Sequence, residues 1–390
     1  MGMDAQPLYD LTPILRVALM GVALAAGPLA WVWLRNRGAG DVGRLRALTL
    51  LTLFLTFDLV LFGAFTRLTD SGLGCPDWPG CYGNASPIGA SADIHAAQTA
   101  MPTGPVTHGK AWVEMIHRYL ATGVGVLITV LAVASWLDAR RRRNEGGGVS
   151  PWWATATLVW VAVQGAFGAL TVTMKLYPAI VTLHLLGGLG LLALLAAQLE
   201  GYRRAPLRLP GRIYGASLAV LVLCVVQIAL GGWVSTNYAV LACTDFPTCH
   251  GAWWPAMDFE HGFTVWRALG VGKDGGWLSF EALTAIHYMH RLMAYVVLAA
   301  LAAFAWALWR AGAAQPALRR WALAILGVAL WQLASGLSNV VLGWPLIAAV
   351  AHTGGAAMIV VLLTVLIARA HQARQANAPL EAGRLSVAAS

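Results

Sequence analysis

Four histidines lie inside long apolar stretches of the sequence, where ionisable side chains are costly and usually functional. They form two pairs, His117 with His184 and His290 with His352. Each lies about five to seven residues inside one end of its predicted helix, roughly 8–10 Å below the same membrane surface. Two imidazoles that face each other across a helical bundle are typical axial ligands of a haem iron. The spacing therefore predicts two bis-histidine haem sites at one depth.

Small residues follow the second histidine of each pair, in the runs HLLGG from His184 and HTGG from His352. They allow the close backbone approach that a planar macrocycle requires. Hydrogen bonding between helices is the alternative role for a membrane histidine. Four histidines at related positions and equal depth favour haem over that role. Zinc is a weaker alternative, because the sequence has no HExxH motif and no tight His/Cys cluster.

The two pairs differ in one neighbouring residue. Glu114 lies three residues before His117 and shares its helix face, whereas His287 occupies the matching position before His290. A carboxylate there can accept a proton or stabilise developing positive charge. Its alternative role is that of an acid favoured by the helix dipole. We expect the first pair to do the chemistry and the second to serve electron transfer or structural support.

Basic residues lie close to the same membrane surface. Arg118 and Arg291 directly follow the first histidine of each pair and are expected to bind haem propionates. Snorkelling at a helix end is their alternative role. Arg67 and Lys175 lie on the same side. Asp58, inside a predicted helix, either pairs with a basic group or serves proton movement, and both interpretations remain open.

The cysteines form two C-x5-C pairs, Cys75 with Cys81 and Cys243 with Cys249. This spacing is short enough to close a small disulfide ring, so two structural disulfides are the simplest interpretation. A reducible relay formed by the first pair is the alternative. Cys224 lies inside a predicted helix and is expected to be a packing residue.

The elements that position these residues are membrane helices. The chain has 390 residues, of which 58% are hydrophobic and 11% charged, with a mean hydropathy of +0.66, a composition that excludes a water-soluble domain of this size. Apolar runs of about 20 residues, the length that crosses a bilayer, predict nine spans. They are 13–34, 45–66, 112–136, 153–174, 178–199, 213–234, 283–309, 320–343 and 346–369.

The net charge of +9 follows the positive-inside rule and gives no reason to expect nucleic acid, because the basic residues fall in alternate loops. These are Arg35, Arg37, Arg44 and Arg46, then Arg140 to Arg143, then Arg203, Arg204, Arg208 and Arg212, then Arg310, Arg319 and Arg320. We expect a protein of the bacterial inner membrane whose long loops, 67–111 and 235–282, are periplasmic. The C-terminus, with Arg369, Arg374 and Arg384, is then cytoplasmic. Acids at Asp4 and Asp10 argue against a signal peptide and for a retained first helix.

An internal repeat organises the chain. An offset of 168 residues carries Cys75 onto Cys243 and Cys81 onto Cys249. The same offset carries Gln164 onto Gln332 and His184 onto His352. The segments around His117 and His290 match at an offset of 173. We therefore predict an all-α polytopic membrane protein of two tandem four-helix bundles related by a pseudo-two-fold repeat, with one extra N-terminal helix. The predicted units are 1–44, 45–200, 213–370 and a cytoplasmic tail, 371–390.

The motifs together resemble the haem A synthase family over nearly all of 45–370. The segments that carry the resemblance are GAFTRLTDSGLGCPDWPGCYG, EMIHRYLA, TLHLLGG, HYMHRLMAY and AHTGGAA. The resemblance implies that His117 and His184 are ligands of the substrate haem O, that Glu114 is catalytic, and that His290 and His352 bind a haem b cofactor. Cys75 and Cys81 match the outer-loop pair of the family, although some of its members lack these cysteines.

The resemblance also implies a reaction and its partners. The family oxidises the methyl group at ring position 8 of haem O to a formyl group, consumes O2 and supplies haem A to terminal oxidases. Haem O synthase, terminal oxidase assembly factors and an unidentified electron donor are the expected partners, and a homo-oligomer is possible. The family usually has eight spans, one fewer than predicted here. A di-haem b-type electron-transfer cytochrome is the alternative function, and a membrane thiol oxidoreductase or transporter is a third.

Overall fold

The structure is a computed structural model that describes residues 12–142 and 149–388, with side chains as far as residue 376. The first eleven residues of the predicted unit 1–44, Arg143, and the side chain of Arg384 therefore lie outside the described residues.

The described residues fold into helices joined by loops. Nine of these helices are long and apolar enough to cross a membrane, which confirms an all-α protein with the nine predicted spans. In chain order the helices are α1 (Thr12–Arg35), α2 (Gly40–Leu68), the short α3 (Ser91–Ala100), α4 (His108–Arg141), α5 (Pro151–Thr173), α6 (Pro178–Arg203), α7 (Gly211–Thr236), the short α8 (Phe259–Gly262), α9 (Phe280–Ala311), α10 (Ala317–Val341) and α11 (Leu346–Ala388).

The helices pack into two closed rings. Helices α2, α4, α5 and α6 contact one another in that order, with α6 returning to α2. Helices α7, α9, α10 and α11 form a second ring in the same way. The rings meet where α6 packs against α7 and α11, and where α2 packs against α11. We refer to them as the first ring and the second ring, and to the end that carries the two long loops, 69–107 and 237–279, as the loop face.

Helix α1 stands outside the first ring and packs mainly against α4. Gly21 makes this close approach possible, because a β-carbon at its position would lie 2.4 Å from Thr122 Cγ2 on α4. The predicted extra N-terminal helix is therefore present and is held against the first ring.

The apolar core of each ring is filled away from the loop face. Leu127, Leu131 and Leu195 are fully buried in the first ring, and Leu308 and Leu363 in the second. Close van der Waals packing of such side chains is a main source of helix association within a bilayer. The histidines lie nearer the loop face than these leucines, in the part of each ring that the leucines do not fill.

Most of the long helices begin earlier than the apolar runs predict, and a side-chain N-cap accounts for the start of two of them. Helix α4 begins at His108 because the Thr107 hydroxyl accepts a hydrogen bond from the Lys110 amide at 3.3 Å. Helix α9 begins at Phe280, since Ser279 accepts one from the Ala282 amide at 3.1 Å. These N-caps start each helix in polar sequence. Helix α11 continues past residue 370 into the predicted tail, as far as Ala388.

Candidate functional site

Each of the four imidazoles lies against a glycine of a neighbouring helix in the same helix ring. A β-carbon added to the glycine would lie within van der Waals distance of the imidazole Cε1, or closer. The pairs are Gly63 with His117 at 3.0 Å, Gly168 with His184 at 3.6 Å, Gly231 with His290 at 2.9 Å and Gly336 with His352 at 3.1 Å. Glycine at these positions therefore gives each imidazole its place between two helices.

The structure brings the predicted histidines together in pairs. His117 and His184 both lie near the loop-face ends of their helices in the first ring, as do His290 and His352 in the second. The two members of a pair come from opposite helices of the ring, α4 and α6 or α9 and α11. Such an arrangement can hold one planar group between two imidazoles.

The surroundings of the imidazole nitrogens differ between the rings. Nδ1 of His117 and Nδ1 of His184 are buried and make no hydrogen bond to the described residues. His117 instead stacks on Phe62, with ring centroids 6.2 Å apart. In the second ring, Nδ1 of His290 lies 3.0 Å from the Gln227 amide nitrogen, and Nδ1 of His352 lies 2.9 Å from the Ser335 hydroxyl.

No hydrogen bond among the described residues involves Nε2 of any of the four histidines, whereas Nδ1 is either buried or has a polar neighbour. Nε2 is therefore available in both pairs, and the paired imidazoles fit a haem, whose iron binds imidazole nitrogens. No group of three or more His, Cys, Asp or Glu side chains suited to a metal ion occurs within residues 12–142 and 149–376.

Glu114 lies at the junction between α4 and the first long loop. Its Oε2 accepts a hydrogen bond from the Cys75 amide at 2.8 Å, and its Oε1 accepts one from the Arg118 guanidinium. Both side chains of this ion pair are buried, with 5% exposure for Glu114 and 10% for Arg118. The carboxylate thus lies one helical turn from His117 and contacts the disulfide loop directly.

Arg118 also holds the loop by donating from Nη1 to the Asp77 carbonyl at 2.9 Å and to the Gly80 carbonyl at 2.6 Å. Its Nε–H and one Nη2–H remain for another acceptor, so the predicted contact with a propionate stays a prediction. The buried ion pair and these two carbonyls anchor the loop over the first histidine pair.

The equivalent arginine of the second ring makes a different set of contacts. Arg291 donates to the Asp245 carbonyl at 3.0 Å, the Thr248 carbonyl at 2.7 Å and the Cys243 carbonyl at 3.2 Å. His287, at the position of Glu114, contacts the Ala239 carbonyl through Nδ1 at 2.9 Å. The loop of the second ring is therefore anchored without a buried carboxylate.

Both predicted disulfides are present, Cys75–Cys81 and Cys243–Cys249. In each loop, an aspartate side chain accepts hydrogen bonds from two backbone amides and so closes the loop. Asp77 accepts from Tyr82 and Gly83 at 2.6 and 2.7 Å, and Asp245 accepts from His250 and Gly251 at 2.8 and 3.0 Å. Hydrogen bonds from the Gly251 amide and the Thr248 hydroxyl hold the pKa of the Asp245 carboxyl below its usual range.

The remaining predicted polar residues lie outside the histidine pairs. Arg67 donates to the Ser235 carbonyl at 2.5 Å and packs over the Tyr238 ring, so it joins the two rings at the loop face. Lys175 lies in the turn that follows α5. Asp58 lies on the exposed side of α2.

Sequence reasoning did not single out Gln227 and Ser335. Both are polar residues within apolar spans, and both lie beside a glycine of the histidine contacts: Gln227 four residues before Gly231 and Ser335 one residue before Gly336. Polar residues inside predicted spans are the signal that identifies such positions.

Comparison with known proteins adds independent evidence. The chain is 35% identical over 322 residues to a protein named haem A synthase from Shewanella oneidensis, covering 81% of this chain and 93% of that protein. It is 31% identical over 319 residues to one of the same name from Methylobacterium nodulans, covering 76% and 84%. A third, from Methylobacterium radiotolerans, is 28% identical over 353 residues, covering 84% and 91%.

The model of the COX15-CtaA family, described as cytochrome oxidase assembly protein, matches residues 46–365. This range includes most of both rings and all four histidines, and it leaves out the whole of α1. A match over most of the chain, with relatives of one name at this level of identity, identifies the family. The chain belongs to the COX15-CtaA family of cytochrome oxidase assembly proteins.

Proposed function

We propose that this chain is an oxidoreductase that performs the haem A synthase reaction, the conversion of haem O into haem A, with the first ring as its substrate site. The shared name of the relatives and the family match support the reaction. The observation that carries the assignment to the first ring is the buried Glu114 carboxylate, which lies one turn from His117 and whose counterpart in the second ring is His287.

The second ring is the proposed site of a resident haem b, which His290 and His352 would hold. A bound haem b would supply one-electron transfer at this site. The chain's contribution is to hold both imidazoles against Gly231 and Gly336 and to provide each Nδ1 with a polar neighbour. This arrangement favours retention of a cofactor.

In the first ring, His117 and His184 are the proposed ligands of the substrate haem O. Glu114 is the proposed acceptor of the proton released when the methyl group is oxidised. It is also suited to stabilise positive charge that develops nearby. The remaining N–H donors of Arg118 and Arg291 are the proposed partners of haem propionates. Water exclusion follows from the disulfide loop, which Glu114 and Arg118 hold over the site.

We further propose the repeat architecture and the orientation. Units 45–200 and 213–370 form two tandem four-helix bundles related by a pseudo-two-fold repeat, which the two helix rings and the equivalent anchoring of their loops support. The loop face is placed in the periplasm of a bacterial inner membrane, since the arginine-rich segments lie at the opposite end. Haem O synthase, terminal oxidase assembly factors and an unidentified electron donor remain the proposed partners.

The test is aerobic expression of the full chain in cells that make haem O, followed by extraction of the haems and mass analysis. Formation of hydroxylated and formyl haem is the expected result. Recovery of unmodified haem alone, with both sites filled, would instead establish a di-haem electron-transfer cytochrome. A His117→Ala variant serves as the control, because it removes a proposed substrate ligand and leaves the second ring unchanged.

A further inference from the structure

The two histidine pairs differ in the side chains that contact Nδ1 of their imidazoles. In the second ring, the Ser335 hydroxyl lies 2.9 Å from Nδ1 of His352 and 2.8 Å from the Trp331 carbonyl. A hydroxyl has one proton. Because that proton goes to the carbonyl, the serine oxygen accepts a hydrogen bond from the Nδ1–H of His352. The lone pair of Nε2 is then free to bind a metal.

Gln227 contacts His290 in a related way. Its side-chain amide nitrogen lies 3.0 Å from Nδ1 of His290 and donates to the His290 carbonyl at 3.2 Å. The amide therefore holds the imidazole in position against its own helix. Both imidazoles of the second ring thus have a polar side chain at Nδ1.

The equivalent positions of the first ring are apolar. An offset of 168 residues carries Gln227 onto Leu59 and Ser335 onto Phe167. Leu59 precedes Gly63 by four residues, as Gln227 precedes Gly231, so both occupy the same helix face as the glycine that the imidazole contacts. Consistent with this difference, Nδ1 of His117 and Nδ1 of His184 have no hydrogen-bond partner within the described residues.

We propose that Gln227 and Ser335 are positioning residues that fix the imidazoles of the second ring for permanent haem binding, while the unsupported His117 and His184 bind haem exchangeably. The inference rests on the proposed function. A partner at the distal nitrogen fixes the tautomer and orientation of a ligating histidine and raises its basicity, and its loss typically costs roughly 10–100-fold in affinity. A substrate has to leave after turnover and a resident cofactor has to stay, so the difference suits one site to each.

The test measures haem transfer from the purified full-length protein to excess apomyoglobin, followed by absorbance. Two phases are expected, a fast one from the first ring and a slow one that is absent in His352→Ala. Ser335→Ala and Gln227→Leu should each accelerate the slow phase about 10-fold or more, and Ser335→Thr should restore it. Ser338→Ala is the matched control, since its hydroxyl lies one turn away and bonds to the Ser335 carbonyl at 3.2 Å.

A second readout separates positioning from general loosening of the fold. Loss of the Nδ1–H acceptor lowers the basicity of the ligand, so the reduction potential of the slowly exchanging haem should rise in Ser335→Ala and stay unchanged in Ser338→Ala. Conversely, Leu59→Gln should slow the fast phase. Equal slow-phase rates and potentials in all variants would overturn the inference and leave the proposed function standing. A protein that binds no haem would overturn both.

Discussion

Replacement of Glu114 by Gln removes the charge of the carboxylate and keeps its shape. One oxygen remains to accept the Cys75 amide, which Glu114 binds at 2.8 Å. We therefore expect both haem sites to remain filled. Haem A formation should fall by about 10²–10⁴-fold, the usual contribution of a positioned acid or base. This loss corresponds to roughly 2.7–5.4 kcal/mol in the activation free energy.

The Ala variant is a poorer test, because Glu114 also has a structural role. Removing one member of a buried ion pair costs about 3–5 kcal/mol of folding free energy, since the other charge is left uncompensated. Arg118, only 10% exposed, is that charge. The Cys75 amide would lose its acceptor as well, at a cost of about 1–3 kcal/mol. A loss of activity in Glu114→Ala would therefore combine two effects.

Glu114→Gln separates the two roles better, because Arg118 keeps its contacts to the Asp77 and Gly80 carbonyls. The loop should therefore stay anchored while haem A formation falls. Haems are extracted and identified by mass, and the haem content of each preparation is measured by absorbance. The proton-acceptor role is refuted if Glu114→Gln makes haem A at the wild-type rate.

Further predictions concern the contacts between the rings and the loop face. Glu200 is fully buried on α6 and binds Arg369 of α11 at 2.7 Å and Arg203 at 3.2 Å; Arg369→Ala leaves Arg203 as a partner and should lower the unfolding free energy in detergent by about 1.5–3 kcal/mol, the value of a hydrogen bond to a charged group, and an unchanged melting temperature would contradict this. The pKa of Asp245 is lowered in the fold, so its stabilisation is present above the unfolded pKa and lost as pH falls. In Asp245→Asn, the melting temperature should therefore decrease less as the pH is lowered. The pKa of His261 is raised by Asp274 and Asp258, so its contribution is complete below the unfolded pKa and declines as pH rises through the folded value. Relative to the intrinsic exchange rate at each pH, backbone amides within 258–278 should therefore be less protected from hydrogen exchange at pH 8.5 than at pH 6, and His261→Asn should remove this difference in protection.

The spans and the histidine pairs could be predicted because both depend on simple periodic features. Apolar length alone determines where a helix can cross a bilayer, and the nine predicted spans correspond to the nine long helices of the described chain. The repeat offsets paired His117 with His290, and the structure places each against a glycine. The disulfides followed from short spacing in the same way.

The contacts of the arginines could not be predicted in this way. Arg118 and Arg291 bind backbone carbonyls of the disulfide loops. Because every residue has a carbonyl, the sequence does not indicate which ones accept these hydrogen bonds. Likewise, the contact between Glu114 and the Cys75 amide spans 39 residues. Helix starts were misplaced by a few residues, since Thr107 and Ser279 cap helices outside the apolar run.

The positions at which the rings differ lie close to the histidines, whereas the shared positions lie in the loops and at the glycines. Asp77 and Asp245 close their loops in the same manner, and an arginine anchors each loop to the helix of the first histidine. Beside the imidazoles, the first ring has a buried acid and apolar neighbours, and the second has Gln227 and Ser335. A common arrangement of helices with different side chains beside its histidines suits two sites that hold similar groups for different periods. The proposed division between a substrate site and a cofactor site therefore depends on a few side chains, and exchanging those side chains between the rings tests it directly.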